Sequence, residues 1–379
     1  DLNNNEQEIS AKISKSRFLV IGGAGTIGSA VVKEIFKRRP IKLHVVDLSE
    51  NNLVELVRDI RSSYGYIEGD FNTFAIDFGG SDFGSFFKYY SPYDYVLNLA
   101  ALKHVRSERD PWTLMRMIDV NIRNNNSTIN LAAENGTKKY FCISTDKSAN
   151  PVNLMGATKR IMEMFLVEKG SSVPISTARF ANVAFSDGSL LDGFKKRIEK
   201  NQPISAPIDI ERYFVTAKEA GTLCILSTIL GKNSEIFFPK LGKEIKKTKF
   251  CLIIENYLSS LGLKPHFCES EDEARYIASK GKHSNFWPVF LSETNTTGEK
   301  DLEEFYTEEE NINLDRFIDV GIVSNRNIVS IEELEKFLFT IDQIREKNSW
   351  DRQQVIKAVG KILPSFKHKE RNKFLDQKM

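Results

Sequence analysis

Three adjacent residues, Thr145, Asp146 and Lys147, place a hydroxyl, a carboxylate and an amine side by side. Such an acid and base can protonate one atom and deprotonate its neighbour, which is what an elimination reaction requires. A lysine acts as a base only where burial or nearby cations favour its neutral form. The alternative interpretation is a polar loop whose charged side chains only interact with solvent.

A glycine-rich segment near the start of the chain is typical of a dinucleotide-binding turn. It follows the apolar run 17–21 directly and opens a helical pattern. Glycines at this spacing permit a tight turn and let the backbone approach a pyrophosphate, whose charge a helix N-terminus stabilises. The residues of this turn that we expect to contact a cofactor are Gly22, Gly25, Thr26, Ile27 and Gly28.

Two acidic residues end predicted strands near that turn. Asp47 ends the second strand, where a carboxylate accepts hydrogen bonds from a ribose diol and repels a 2′-phosphate. This residue therefore favours NAD over NADP. Asp77 ends the third predicted strand, where it would either contact the adenine or cap a turn.

Two later segments carry further candidate contacts. Ala100 follows the fourth predicted strand, where a small side chain lets a dinucleotide pass close to the backbone. Lys103 and His104 would face cofactor or substrate phosphates, or solvent. Lys159 lies one helical turn after Met155, so the two side chains project the same way. A lysine in that place is suited to hold the nicotinamide ribose.

The elements that must position these residues alternate between strands and helices. The segment 139–143 is a short apolar run, typical of a buried parallel strand, so residues 145–147 would lie at its carboxyl end. Ligands of open α/β sheets bind at that edge. The alternation predicts a doubly wound parallel sheet. The predicted strands are 17–21, 42–47, 73–77, 94–99, 139–143 and 174–180, and the main helices 27–38, 112–134 and 156–169.

The rest of the chain departs from this rhythm after about residue 184. We expect a smaller mixed α/β substrate-binding part interleaved with the first domain, with an extended linker at 203–207, a helix at 246–262 and a surface loop at Thr294–Lys300. The predicted parts are a polar tail 1–15, an NAD-binding domain 16–184, a substrate-binding region 185–330 and a helical C-terminal extension 331–379 that ends in a charged tail.

Composition excludes several classes of protein. The 379 residues carry a formal net charge of +2, with basic and acidic residues interspersed, so we expect no nucleic-acid partner. No apolar run approaches the roughly 18 residues of a transmembrane helix. The four cysteines lie far apart, which indicates reduced core thiols and a cytoplasmic protein. The five histidines show no metal-ligand spacing, so we expect no metal.

Taken together, the motifs resemble the UDP-N-acetylglucosamine 4,6-dehydratase family, extended short-chain dehydrogenases/reductases of bacterial polysaccharide and nonulosonic-acid biosynthesis. The similarity covers about 17–240, and the C-terminal segments resemble a soluble subgroup with an extension. The motifs that carry it are Gly22-x-x-Gly25-x-x-Gly28, Ala100-Ala101-Leu102-Lys103-His104-Val105, Ser144-Thr145-Asp146-Lys147, Asn150-Pro151-x-Asn153-x-Met155-Gly156-Ala157-Thr158-Lys159, Arg179-Phe180-Ala181-Asn182-Val183 and Arg212-Tyr213-Phe214-Val215-Thr216.

The resemblance implies an internal redox cycle on a nucleotide sugar, most simply UDP-GlcNAc. Bound NAD+ takes hydride from C4, water leaves across C5 and C6, and the hydride returns to C6. Asp146 would protonate the departing C6 hydroxyl, Lys147 would remove the C5 proton, and Thr145 would bond the C4 oxygen. Most of the superfamily has a tyrosine base at the position of Met155. The C4 base is therefore open, with Thr145, Asp146 or a water relay as candidates, and Met155 can equally be apolar lining.

The resemblance also implies substrate contacts and assembly. Arg212 would bind the diphosphate, because guanidinium groups pair with phosphate oxygens. Arg179, Asn182 and Ser189 would line the nucleotide-sugar pocket, or serve as structural hydrogen-bonding groups. The family commonly pairs through the helices near 112–134 and 156–169, so we expect a homo-oligomer. Two rival functions remain open, a C4 or C5 epimerase and a catalytically inactive NAD-binding regulatory protein.

Overall fold

A computed structural model describes residues 1–240, 247–281, 285–294, 298, 303–324, 329–347 and 349–371. The chain forms two compact units. The first unit contains Asp1–Phe180, Ala217–Lys240 and Glu304–Lys369, and the second contains Ala181–Thr216, Leu241–Glu303 and Glu370–Met379. Of the predicted features, parts of the Thr294–Lys300 loop and of the charged tail lie outside the described residues.

Most strands of the central sheet lie at the predicted runs, but the third begins at Asp70 and ends at Ala75 rather than spanning 73–77. In the described residues the strands are β1 (Arg17–Ile21), β2 (Lys42–Asp47), β3 (Asp70–Ala75), β4 (Tyr95–Asn98), β5 (Lys139–Ile143), β6 (Ile175–Ala178), β7 (Asn182–Val183), β8 (Ile204–Pro207), β9 (Glu211–Arg212), β10 (Phe214–Val215), β11 (Glu235–Pro239), β12 (Thr248–Lys249), β13 (Lys264–Cys268), β14 (Phe286–Ser292), β15 (Asn311–Asn313) and β16 (Val320–Ser324).

The α-helices separate these strands along most of the chain. Among the described residues they are α1 (Glu6–Ile13), α2 (Thr26–Phe36), α3 (Glu50–Tyr64), α4 (Phe83–Tyr90), α5 (Pro111–Ile118), α6 (Asn124–Glu134), α7 (Leu154–Lys169), α8 (Leu190–Glu199), α9 (Ala217–Leu230), α10 (Phe250–Ser260), α11 (Glu271–Ser279), α12 (Ile331–Glu346) and α13 (Arg352–Ile362).

The first unit is built on a nine-stranded sheet in the order β15-β16-β11-β6-β5-β4-β1-β2-β3. The strands from β11 to β3 are parallel, while β16 and β15 add an antiparallel edge. Every residue of β5 is buried, as expected for a central strand covered on both faces. The predicted α/β class with a doubly wound parallel sheet is confirmed.

The predicted helix 112–134 is divided in the structure into helix α5, a π-helical turn and helix α6. A π-helical turn, Asp119–Arg123, joins α5 to α6. Within it, Asn121 accepts a hydrogen bond from the Leu102 N–H and donates to the Leu102 carbonyl and the Thr158 hydroxyl, at 3.0–3.1 Å. This side chain therefore ties the backbone after β4 to helix α7.

The C-terminal helices α12 and α13 belong to the first unit. Apolar residues of α12 and α13, including Phe337, Ile341 and Val359, form one buried cluster with residues of α5 and α7 such as Met117 and Phe165. The amphipathic pattern of α12 thus serves intramolecular packing. This packing covers part of the helices that we expected to pair two copies of the chain.

The second unit contains three small sheets. In one, β8, β14 and β13 are parallel, so the predicted linker at 203–207 is a strand. The other two pair β7 with β10 and β9 with β12. Helix α10 is shorter than the predicted 246–262. No helix within the described part of either unit is long and apolar enough to cross a bilayer.

Candidate active site

The glycine-rich turn after β1 has the close contacts that a dinucleotide-binding turn requires. Gly22 has a φ of +72°, and a Cβ added there would lie 2.5 Å from the Ala100 nitrogen. A Cβ on Gly28 would overlap the Gly22 carbonyl oxygen. Gly25 immediately precedes α2, and a Cβ there would meet only the Gly22 oxygen, at 3.6 Å. Glycine at Gly25 leaves room for a phosphate at the N-terminus of α2.

Asp47 lies beside this turn at the end of β2. Its Oδ2 accepts a hydrogen bond from the Ala24 N–H and its Oδ1 one from the Ser49 N–H, both at 3.0 Å. Each carboxylate oxygen has a further lone pair, and the residue is partly exposed. The acceptor oxygens of Asp47 suit the two hydroxyls of a ribose, and the adjacent glycine turn suits a pyrophosphate. These residues are therefore compatible with NAD.

Asp77 follows β3 and has two partners of its own. Its Oδ1 accepts a hydrogen bond from the Gly79 N–H at 2.9 Å, and its Oδ2 lies 3.0 Å from Arg116 Nη2. These contacts agree with the interpretation of Asp77 as a turn-capping residue. A contact between Asp77 and the adenine stays a prediction.

The segment after β4 places Ala100 against the glycine turn. The Ala100 N–H donates to Asn98 Oδ1 at 3.1 Å, which fixes the chain direction there. Lys103 is exposed and His104 is half-buried. Burial, and then the charges of Lys103 and Arg106, lower the pKa of His104. At neutral pH the imidazole is therefore an uncharged hydrogen-bonding group, and phosphate binding by charge would fall to the lysine.

The segment Ser144–Ser148, here called the β5 turn, carries the acid–base residues. Its backbone is held to β6, because the Ser144 N–H donates to the Ala178 carbonyl at 2.8 Å and the Asp146 N–H to the Phe180 carbonyl at 3.1 Å. Asp146–Ser148 forms a single 3₁₀ turn that starts at Thr145. The three side chains therefore lie at the carboxyl edge of the sheet, as predicted.

Within the β5 turn the hydroxyl, carboxylate and amine form one contact group. Thr145 Oγ1 donates to Asp146 Oδ1 at 2.8 Å, and Lys147 Nζ lies 3.2 Å from the same oxygen. Asp146 is 1% exposed. Its Oδ2 is buried and has no hydrogen-bond partner among the described residues. A buried carboxylate oxygen without a partner is costly, so this atom is suited to bond a group of a bound ligand.

Helix α7 approaches the β5 turn at its first residues. The Asn153 side chain caps the helix by accepting from the Gly156 N–H at 2.7 Å. A Cβ on Gly156 would overlap the Lys147 carbonyl oxygen, so only glycine permits this approach. Met155 is 3% exposed and joins the cluster covered by α12 and α13. The apolar-lining interpretation of Met155 fits this environment.

Lys159, on the next turn of α7, is buried. Its Nζ donates to the Ile143 carbonyl at 3.0 Å, next to the β5 turn. Burial lowers the pKa of Lys159, which the negative potentials of Cys142 and Glu163 only partly offset. The amine is thus adjacent to the site, while its contact with a nicotinamide ribose stays a prediction.

Arg179 fits the structural alternative among the two roles expected for it. It is fully buried, and all five of its N–H donors are engaged, by Glu163, by Glu310 and by the Phe305 carbonyl, at 2.7–3.0 Å. No donor remains for a substrate phosphate. Sequence analysis missed both carboxylates, although Glu163 follows Lys159 by one helical turn and both are buried on α7.

The other expected substrate contacts lie in the second unit. Asn182 in β7 donates its side-chain amide to the Glu303 carboxylate and, at 3.3 Å, to the Tyr213 carbonyl. Ser189 caps α8 by accepting from the Asp192 N–H at 3.2 Å. Arg212 is half-buried in β9, and its Nη1 lies 3.2 Å from the Glu211 carbonyl. Their binding of a nucleotide sugar stays a prediction.

The fold also brings together one group of side chains that spacing alone did not suggest. Side-chain ligand atoms of His266, Cys268 and Glu273 lie within 4.8 Å of one another. The Glu273 carboxylate accepts from the Glu269 N–H at 2.7 Å, as in a helix N-terminal turn. Burial raises the pKa of the Cys268 thiol, which keeps it protonated. Packing without a metal is sufficient to explain this arrangement.

The sheet order and the glycine turn after β1 define a doubly wound α/β protein with a Rossmann-type fold. The polysaccharide biosynthesis protein family matches residues 18–282. The chain belongs to this family.

Curated relatives cover different shares of the chain. An uncharacterized membrane protein of Methanocaldococcus jannaschii, MJ1061, is 31% identical over 84% of this chain and 88% of its own length. EpsC of Bacillus subtilis, a probable polysaccharide biosynthesis protein, is 34% identical over 63% of this chain but 40% of its own length. The inverting UDP-N-acetylglucosamine 4,6-dehydratase of Campylobacter jejuni is 28% identical over 60% and 68% of the two chains. UDP-glucose 4-epimerases of Rickettsia also match.

Solved structures share the fold at low identity. Pen from Bacillus thuringiensis superposes with a TM-score of 0.66 and 23% identity, covering 87% of this chain and 98% of that chain. DesIV from Streptomyces venezuelae, a dTDP-glucose 4,6-dehydratase solved with NAD, gives a TM-score of 0.58 at 16% identity, covering 89% and 99%. These similarities support the same α/β architecture.

Proposed function

We propose that this protein catalyses the NAD-dependent 4,6-dehydration of a nucleotide-linked N-acetylhexosamine, with UDP-GlcNAc as the favoured substrate. The observation that carries the proposal is the carboxylate of Asp146, whose buried Oδ2 has no hydrogen-bond partner among the described residues and whose Oδ1 lies 3.2 Å from the amine of Lys147. An acid and a base on adjacent residues fit an elimination across neighbouring carbons. The named Campylobacter relative supports the substrate class.

The cofactor would be NAD, held by the glycine turn and by Asp47. When bound, NAD+ supplies reversible hydride acceptance from the sugar C4. The residues of this chain would provide the remaining steps. The hydroxyl of Thr145 would bond the C4 oxygen, and its 2.8 Å bond to Asp146 supplies a route for the C4 hydroxyl proton onto that carboxylate. The geometry favours Thr145 and Asp146 as the C4 base over a water relay.

The elimination would use the same group of residues. The C4 ketone acidifies the C5 proton, which Lys147 removes. Asp146, carrying the proton taken from the C4 hydroxyl, would protonate the C6 hydroxyl as it leaves as water. Lys147 Nζ and Asp146 Oδ1 are 3.2 Å apart, so both can reach adjacent carbons. Return of the hydride to C6 and of a proton from Lys147 to C5 would complete the cycle. The product would be a 4-keto-6-deoxy sugar for surface polysaccharide or nonulosonic-acid synthesis in a reducing, cytoplasmic setting.

Turnover in deuterated water tests the proposal. Purified protein is incubated with UDP-GlcNAc and no added cofactor, and the products are followed by NMR. We expect a 4-keto-6-deoxy product with solvent deuterium at C5. A product that keeps its 6-hydroxyl would favour the epimerase alternative, for which the matching UDP-glucose 4-epimerases are the supporting observation. Bound NAD without turnover would favour the regulatory alternative.

A further inference from the structure

We infer that Glu163 is a positioning residue, which fixes the β5 turn relative to helix α7. The inference rests on the proposed function, because the β5 turn carries the proposed acid and base. Glu163 is 1% exposed and lies on α7, the helix that also carries Met155 and Lys159.

One oxygen of Glu163 binds both ends of the β5 turn. Ser144 Oγ donates to Glu163 Oε1 at 2.6 Å, and Ser148 Oγ lies 2.7 Å from the same oxygen. Ser148 Oγ is also 2.7 Å from the Thr145 carbonyl oxygen, so its single proton can serve either acceptor. Between these two serines lie the three residues of the proposed chemistry. Glu163 therefore links the turn to the helix without touching the reacting groups.

Glu163 is itself held from the opposite side. Arg179 Nε and Nη2 bind its two oxygens at 3.0 and 2.8 Å. Arg160 Nη1 lies 3.3 Å from Oε2, and Glu310 binds both arginines. Burial alone would raise the pKa of Glu163, but the charges of Arg179 and Arg160 hold it below its ordinary value. The carboxylate stays an acceptor and its orientation is fixed.

The same ionic arrangement elsewhere in the chain provides a matched control. Arg38 is buried between the carboxylates of Glu34 and Glu6, at the other end of α2 from the glycine turn. Glu34→Gln and Glu163→Gln both leave a buried arginine with one carboxylate. Ser176→Ala is the control for the serines, because Ser176 Oγ donates to the Ser227 carbonyl at 2.8 Å in the same sheet.

The experiment compares the double variant S144A/S148A and Glu163→Gln with these controls. Displacement of about 1 Å at a reacting group costs on the order of 10²-fold in rate. We expect kcat to fall by roughly that factor or somewhat less, with KM for UDP-GlcNAc and bound NAD unchanged, and with thermal midpoints close to those of the controls. The controls should keep the wild-type kcat. Equal kcat in S144A/S148A and Ser176→Ala would overturn the inference.

A second measurement separates this inference from the proposed function. Amide hydrogen exchange reports how firmly the β5 turn is held, whether or not the protein turns over UDP-GlcNAc. We expect faster exchange in the peptide covering 144–150 in S144A/S148A and Glu163→Gln, and no change there in the controls. If the wild-type protein does not turn over UDP-GlcNAc but the variants show this exchange pattern, the proposed dehydratase function is refuted and the positioning role of Glu163 is retained. Unchanged exchange in all variants would refute the positioning.

Discussion

Lys147 Nζ lies 3.2 Å from Asp146 Oδ1, while the second oxygen of the same carboxylate is buried without a partner among the described residues. The pair therefore combines a partly exposed amine with a carboxylate whose free oxygen is available to a ligand. This difference between the two oxygens of Asp146 suits two different proton transfers.

Lys147→Ala should fail after hydride transfer. Removing a general base typically costs about 10²–10⁴-fold in rate. Because Lys147 is assigned to the C5 proton alone, substrate should still reduce the bound NAD+, with absorbance near that of NADH, and product should not accumulate. Rapid mixing with UDP-GlcNAc measures both signals. A variant that forms no NADH would contradict this division of roles.

Asp146→Asn separates the two tasks proposed for Asp146. If Asp146 serves only as the acid at C6, the variant should reduce NAD+ like Lys147→Ala and then stall. If Asp146 also receives the C4 proton through Thr145, NADH formation should fall as well. The 2.8 Å Thr145–Asp146 bond leads us to expect the second result. Normal NADH formation in this variant would instead leave the C4 proton to a water relay.

Met155→Leu should be nearly silent. Met155 is 3% exposed within an apolar cluster, and the swap conserves volume and polarity, so it should cost less than about 1.5 kcal/mol. Urea unfolding and steady-state kinetics with UDP-GlcNAc measure the effect. A large fall in kcat at normal stability would mean that the thioether takes part in the reaction.

NAD, rather than NADP, should be released on denaturing the purified protein. Asp47 presents a carboxylate that repels a 2′-phosphate, so Asp47→Ala should weaken NAD retention. Chromatography of the released nucleotide gives the identity and the amount. Recovery of mainly NADP from the wild type would refute the assignment. A matched control is Asp59→Ala, since Asp59 lies on α3 and pairs with Lys33 of α2.

Stability should fall steeply in acid because of Glu310. Burial raises the pKa of this carboxyl, but Arg179 and Arg160 overcome that effect and lower it from 4.5 to about 2. A carboxyl whose pKa is lowered by folding stabilises the folded state at every pH above the pKa of the unfolded chain. This contribution is lost as the pH falls from about 5 to about 2. The loss is on the order of 3 kcal/mol. Denaturant unfolding across this range should show a flatter pH dependence for Glu310→Gln than for wild type.

Two phenylalanines of α12 test the role of the C-terminal helices. Phe337 is 4% exposed in the cluster with α5 and α7, so Phe337→Ala should destabilise by about 3–5 kcal/mol. Phe339 is 61% exposed on the same helix, so Phe339→Ala should change stability by less than about 0.5 kcal/mol.

Light scattering on both variants and on wild type also tests the predicted homo-oligomer. A lower mass for Phe339→Ala would place α12 at a subunit contact.

The sequence by itself determined the central sheet and the edge at which the candidate acid–base residues lie. The run 139–143 matches strand β5 residue for residue, because a strand covered on both faces is mostly apolar. Since parallel strands end at one edge, the polar residues after them had to lie there, which correctly located Thr145, Asp146 and Lys147. The glycine spacing after β1 was also visible in the sequence, and in the structure Gly28 approaches Gly22 within the turn while Gly22 approaches the distant Ala100.

Only the tertiary structure decided which charged groups meet each other. The sequence left Arg179 open between a substrate contact and a structural role, and the fold favours the structural role. Glu163 on α7 and Glu310, far along the chain, accept four of its five N–H donors, and the Phe305 carbonyl accepts the fifth. A residue's type and local spacing carry no information about partners that distant segments supply. For the same reason the amphipathic pattern of α12 could not reveal that its apolar face packs on α5 and α7 of its own chain.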